Sequence, residues 1–528
     1  MLLLIFKKYE DKIQRNNTMG NFLRTPELDV TKGINFSVPS AYLGSGQNYP
    51  QNVQLYRGEL KKRDGRVVVG GVMLGGHKVL HLSVLEISNG TQRLIRHSRY
   101  NIERYMALTG LWEDITGGDL TGTETDFFDS CVVTESDLYV FTNNLVDKIK
   151  KYDDSGVTQD LGGNPPLCKT LDYVTPYMLI GNVVDTGTAI PQKLQWCDTG
   201  NPELWLGGNS GSVLLSDEPS KIQKIKKLLD YAMVYKEKSV YRGRKVASDS
   251  IFEFGGPFQI GKGISSPRSI VDNGENHFYQ GIFDFHVNNG VRISDIGAPV
   301  REYVFNRINR QRIETCFALH VELYKEVWFF VTVGGDDWPK EVWKYNYETG
   351  FWYFDTVENC ITAGLYKQTG DLTWNTDPGT WDDEIDPWDS QTGLTDAPSH
   401  VFGYADGFVD RLSTNTVEDR GVAVNSRIDT KDYTGLSHKG IEYDTRWLQF
   451  DIWARGQGSV RLYYSTDYGS NWSYIGTNEL TTQAEKMTYW LDVYASHIRF
   501  RIQCDGKGEY MTLRNFTPYF LNKPEFVR

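Results

Sequence analysis

The feature that most constrains this chain is a recurring phrase: a short aromatic or β-branched strand, a Gly/Asn/Asp turn, and a second strand. Leu138-Tyr139-Val140-Phe141 turns at Asn143-Asn144, and Tyr177-Met178-Leu179-Ile180 ends at Gly181-Asn182. Tyr231-Ala232-Met233-Val234-Tyr235 returns as Ser239-Val240-Tyr241, and His277-Phe278-Tyr279 leads to Ile282–Phe285 and a turn at Asn288-Asn289-Gly290. Val327–Val331 is followed by Val342–Tyr345, and Val401–Tyr404 turns at Asp406-Gly407 into Phe408-Val409. Successive starts lie 39, 54, 46, 50 and 74 residues apart. Most of these intervals fall near the 40–50 residues of a four-stranded propeller blade. The longest leaves room for one more blade around Ile361, Leu365 and Tyr366. Strand material begins earlier, at Val67-Val68-Val69 and Val79–Leu85, and Asp64-Gly65 reads as a two-residue hairpin turn.

After about residue 425 the pattern changes. Trp447–Trp453, Val460–Tyr464 and Ile498–Ile502 largely alternate apolar and polar, as strands with one buried face do. The expected fold is therefore all-β: a flexible tail over 1–20, a β-propeller with helical insertions over 21–425, and a β-sandwich-like domain over 426–528. Two helices are expected as insertions. Ser220–Leu229 places Ile222, Ile225 and Leu229 on one face and lysines on the other, and Val300–Ile308 is a second, shorter one. Met19 is an alternative start, because organised sequence begins near Phe22.

Composition agrees with many turns and strands: 13% aromatic residues and 51 glycines in 528 residues. The net charge of −12 argues against a protein that grips nucleic acid by neutralising phosphates. The six cysteines form no CxxC pair, so reduced thiols are expected. No apolar run is long enough for an integral membrane segment.

Few motifs carry chemistry. Ser465, Asp467, Gly469 and Trp472 fit the Asp-box S-x-D-x-G-x-x-W, a turn staple known from sialidase propellers; a structural role is expected. Trp374, Trp381 and Trp388 recur every seven residues. Pro378 and Pro387 exclude a helical heptad there. With Asp382, Asp383 and Asp386 they read as an acidic loop pinned by tryptophans. A bound cation, a carbohydrate platform and a glycosidase-type carboxylate pair are the functional alternatives. His77 and His81 lack the glutamate of a metalloprotease helix. The lysines of 221–238 read as a solvated helix face, and Gly207–Ser212 as a turn before a strand. No catalytic residue, cofactor site or metal site is assigned, and the chain is expected not to be an enzyme.

Four stretches, in order, carry a resemblance: Trp196–Trp205, Met233–Tyr241, Ile260–Ile270 and Tyr345–Trp352. Together they resemble the β-propeller nozzle or tail-hub proteins of short-tailed bacteriophages, over roughly residues 130–415. The resemblance implies a virion tail component, assembled in the host cytoplasm as a ring, commonly a homohexamer. It would sit beneath the portal and adaptor proteins, meet tail fibre or needle proteins, and form or close the channel through which double-stranded DNA leaves. The competing expectation is a tail propeller that binds or hydrolyses glycans, in the manner of a sialidase.

Overall fold

A computed structural model describes residues 30–522, apart from 45–46, 88–89, 134–138, 247–250, 368–397, 437–441 and 444, together with the short strand Leu23–Arg24. The chain divides into two compact units, Asp64–Val422 and the pair of segments Met1–Arg63 and Ala423–Arg528.

Among the described residues the first unit is a β-propeller of seven blades, each built on four antiparallel strands, with short extra strands added to blades 4 and 7. Blade 1 is built from His81–Glu86, Gln92–His97, Ile102–Met106 and Leu111–Asp114; blade 2 from Asp129–Val133, Tyr139–Asn143, Lys150–Tyr152 and Gln159–Asp160. Blade 3 comprises Leu167–Val174, Tyr177–Asp185, Thr188–Trp196 and Gly211–Leu214; blade 4, Ile222–Leu228, Tyr231–Lys236, Ser239–Lys245 and Phe252–Phe254. Blade 5 holds Ile270–Asp272, His277–Gln280, Phe285–Asn288 and Ile293–Asp295; blade 6, Phe317–Val321, Glu326–Val331, Glu341–Asn346 and Trp352–Thr356. Blade 7 takes three strands in sequence, Cys360–Tyr366, Ser399–Tyr404 and Val409–Ser413. Its fourth strand, Gly65–Val68, comes from ahead of blade 1 and pairs antiparallel, Asp410 opposite Val68 and Ser413 opposite Gly65. That exchange ties the start of the propeller to its end, so no blade edge is left to open the ring. Gly65 is required there, because a Cβ would lie 2.2 Å from the Glu418 carbonyl oxygen.

Every phrase that recurs in the sequence falls on the second strand of a blade. Those strands lie inside a sheet and are buried on both faces: Val327 to Val331 and Ala232 to Tyr235 are all inaccessible or nearly so. Continuous apolar runs are what such burial selects. The seams between blades are apolar too. Leu228, Met233 and Tyr235 of blade 4 pack with Ile270 and Tyr279 of blade 5, and Ile361 of blade 7 joins Leu85 and Ile95 of blade 1.

Three expectations are corrected. Ser220–Leu229 is not a helix: Ile222–Leu228 is the first strand of blade 4. Ile361, Leu365 and Tyr366 do not start an extra blade. Cys360–Tyr366 opens blade 7, and the interval is lengthened by residues 368–397, which lie outside the described residues. Asp64-Gly65 is not a hairpin turn, since Gly65–Val68 pairs with blade 7. The second expected helix is present as Arg301–Phe305.

The second unit is a β-sandwich. One sheet runs in the order Val53–Tyr56, Glu59–Lys62, Tyr510–Asn522, Thr445–Gln457, Glu485–Ala495. The other contains Tyr49–Gln51, Ser426–Asp429, His497–Cys504, Ser459–Ser465 and Ser473–Glu479. Phe450 forms the centre of the filling, with ring centroids 4.3 Å from Phe500 and 5.4 Å from Phe516. The expected boundary at residue 21 is corrected here: the segment up to Arg63 belongs to the sandwich, because its strands pair with the C-terminal ones, Leu60 opposite Leu513.

Candidate functional site

The propeller axis is lined by the first strands of the blades, and these carry charge. Asp129 of blade 2 accepts hydrogen bonds from Thr170 Oγ1 (2.8 Å) in blade 3 and forms an ion pair with Lys224 of blade 4. His81 of blade 1 lies 2.8 Å from Ser130 Oγ. Burial, then the nearby Arg268 and Lys224 cations, push its pKa down to about 3. A neutral imidazole of that basicity is a poor general base at neutral pH, so His81 and Ser130 form a structural contact rather than a nucleophile with its activator.

Arg268 does the most to fill the axis. It sits just ahead of blade 5. Its guanidinium donates to the carbonyls of Ile361 (2.8 Å) in blade 7 and Thr315 (3.0 Å) ahead of blade 6. It also stacks 3.7 Å from the ring centroid of Phe127, ahead of blade 2. Burial lowers its pKa to about 10, which still leaves it charged at neutral pH. One half-buried cation thus ties four blades together.

A groove of about 620 Å³ runs along blades 4 and 5, lined by Lys238, Ile260–Gly263, Ile282–Asp284, His286, Asp295 and Arg301 among others. Four of its charged side chains pair within the chain. Asp295 pairs with Lys262 and lies 2.7 Å from His286 Nδ1; Asp284 pairs with Arg301 at 3.0 Å. Burial lowers the His286 pKa despite Asp295. The lip is apolar: Ile260 is 65% exposed and Phe283 69%. Internally balanced ions beneath projecting apolar side chains suit a protein contact better than capture of a charged small molecule.

The sequence motifs take these places. The Asp-box closes the hairpin between Ser459–Ser465 and Ser473–Glu479 in the sandwich. Asp467 accepts from the Asn471 amide (2.9 Å) and the Ser465 hydroxyl (2.7 Å). Gly469 takes the left-handed conformation, φ 88°, and the Trp472 ring carries Arg501 3.9 Å from its centroid. The Asn471 amide, with Ser465 and the Asn471 side chain, lowers the Asp467 pKa to about 2. A depressed carboxylate contributes stability above its unfolded pKa and loses it as pH falls through the folded one. Asp467 is therefore expected to keep its charge at pH 3 and to titrate near 2, read from its side-chain carboxyl ¹³C shift. A value near the ordinary 3.8 would deny the staple.

Trp374, Trp381, Asp382, Asp383, Asp386 and Trp388 lie outside the described residues. His77 precedes the strand that His81 opens, so the two do not share a strand face. The lysines of 221–238 do not form one solvated helix face. They are distributed over strands, with Lys236 buried against the carbonyls of Leu215 and Glu218. Gly207–Ser212 is a turn entering the strand Gly211–Leu214. All six cysteines are free and buried. Among the described residues, no group of three or more His, Cys, Asp or Glu side chains could hold a metal ion, and no helix is long and apolar enough to cross a membrane.

The stretches that carry the resemblance hold the architecture. Ile260–Ile270 supplies both the groove lip and Arg268. In Tyr345–Trp352, Asn346 Oδ1 accepts from the amides of Glu348 (3.2 Å) and Thr349 (2.9 Å), closing a blade 6 hairpin. The sequence offered no signal for Arg268, whose partners are mostly backbone carbonyls far away in the chain.

No protein-family model matches this chain, and no curated protein matches it. Among solved structures, the carbohydrate-binding module TmCBM61 in complex with β-1,4-galactotriose is 16% identical, with a TM-score of 0.15 over 20% of this chain and 66% of the module, just under two-thirds of its length. BBS1N in complex with ARL6DN is 10% identical, with a TM-score of 0.37 over 67% of this chain and 98% of that one. Both likenesses are distant.

Proposed function

We propose that this protein is a non-enzymatic structural component of a bacteriophage tail. In this reading, copies assemble as a homohexameric ring beneath a portal and adaptor and surround the DNA ejection channel. The observation that carries the reading is the groove along blades 4 and 5. Asp295 and Asp284 are paired within the chain, while Ile260 and Phe283 are left in water, and a second copy of the chain is the occupant that buries them. A rigid closed disc is suited to side-by-side, head-to-tail packing in a ring. Arg268 crosses between four blades, so in this reading the channel lies between copies rather than along the axis of one propeller. A net charge of −12 limits DNA adhesion during passage. The ordered resemblance over 130–415 supports the same assignment.

The test is the mass of the purified protein in solution, alone and with portal and adaptor present. The expected species is a closed ring built from 60.3 kDa copies. A monomer that neither self-associates nor binds the portal–adaptor assembly would refute the proposal.

A further inference from the structure

The outer face of one sandwich sheet carries an ordered array that the tail reading leaves unused. The central strand Thr445–Gln457 is flanked by Tyr510–Asn522 on one side and Glu485–Ala495 on the other. The register sets three rows across these strands: Asn515, Trp453 and Lys486; then Thr517, Asp451 and Thr488; then Tyr519, Gln449 and Trp490. Alternate residues, Phe450 and Ile452 among them, point into the core, so these nine share the outward face. The rings are open to solvent: Trp453 is 39% exposed and Trp490 51%.

The middle row holds the polar floor. Asp451 is only 1% exposed, yet it lies on the outer face. Its carboxylate accepts from Gln449 Nε2 (2.7 Å), Thr488 Oγ1 (2.8 Å) and Lys486 Nζ (3.1 Å). Those three side chains are thereby held in fixed orientations between the aromatic plates. Trp453 sits opposite Lys486, four residues along from Trp490, so the two indoles stand about 13 Å apart in the strand direction.

Charge narrows the ligand. Lys486 is neutralised by Asp451. Beside the array, Arg446 makes two 2.7 Å contacts with Asp492, and Arg455 pairs with Glu59 at 2.8 Å. These three cations are matched, which leaves the rows themselves without a free positive charge. We propose that this face binds a neutral, linear oligosaccharide. A pyranose has an apolar C–H face that stacks on an indole and a hydroxyl rim that suits fixed amide and hydroxyl groups. The spacing of the indoles requires a chain rather than a single sugar. The proposal does not depend on ring assembly.

The test uses the full-length protein, with Trp453→Ala, Trp490→Ala and the double variant. Binding is measured by isothermal titration against neutral hexasaccharides (β-1,4-glucan, β-1,4-galactan, β-1,4-mannan), with a sialylated oligosaccharide as control. At least one neutral chain should bind, and the double variant should weaken it about tenfold or more, the effect of losing stacking worth about 1.4 kcal/mol. Melting temperature and ring mass should not change, because both indoles are solvent-exposed. Failure of every neutral chain to bind would overturn the proposal. So would preference for the sialylated control, or binding that the double variant leaves intact. Loss of ring mass in the double variant would reassign the face to a contact between copies, without touching the blade 4–5 proposal.

Discussion

Replacing Lys344 by Met is expected to destabilise the propeller by about 3–5 kcal/mol, the usual cost of leaving a buried ion without its partner. Lys344 lies on the third strand of blade 6 and is fully buried. Its ammonium is 2.9 Å from Asp355, also buried, and 5.5 Å from the Trp328 ring centroid. A second carboxylate, Glu326, is buried nearby and accepts from Trp328 Nε1 at 2.7 Å. One cation thus serves two carboxylates. Burial raises the Glu326 pKa, and Lys344 is the main influence that holds it down. Without Lys344, that pKa climbs further. A raised folded-state pKa gives stability at low pH that is lost as pH rises through it. The Met variant should therefore lose more stability at pH 8 than at pH 5. Adding Glu326→Gln should restore part of the loss at pH 8 by removing one uncompensated charge. Denaturant unfolding at both pH values tests this. Equal destabilisation at pH 5 and 8, with no recovery in the double variant, would mean that the cost is packing alone.

The pair Ile260→Asp and Phe283→Asp is expected to abolish ring assembly while leaving the fold intact. Both side chains project from the groove lip and contribute little to any core. Substitutions at such positions usually change stability by less than about 0.5 kcal/mol each. In a ring, each copy presents the lip once, so every contact would receive two carboxylates in an apolar interface. Desolvating them costs far more than the lost apolar area. Sedimentation should give monomers at concentrations where the parent chain is assembled, with an unchanged melting temperature. An intact ring in the variant would move the subunit contact to another face of the disc.

The fold was legible where burial is two-sided. Tyr231–Tyr235 and Val327–Val331 announce themselves because a blade's second strand is apolar on both faces. The first strands of blades 2 and 4 did not, because they carry charge toward the axis: Asp129 and Lys224 look like surface residues in the sequence. Ile222 and Ile225 mimic a helical repeat for a specific reason. The register shifts between Ile222 and Lys224, and such a bulge turns a spacing of three onto one face of a strand. The strand Gly65–Val68 and the segment up to Arg63 find partners more than three hundred residues away, which local pattern cannot reveal. The alternation of Ile498–Ile502 was plain in the sequence and matches its buried and half-buried residues one for one. The groove was not legible, since Ile260 and Phe283 gain meaning only when blades 4 and 5 are set side by side.

The central claim is that copies of this chain encircle a channel. Electron microscopy of the protein bound to its portal–adaptor assembly tests it most directly. The account predicts six propeller discs around an opening wide enough for duplex DNA, with the blade 4–5 lip buried between neighbours and each disc closed at Arg268. A monomer or trimer with no portal density, or DNA running through the axis of a single propeller, would contradict it.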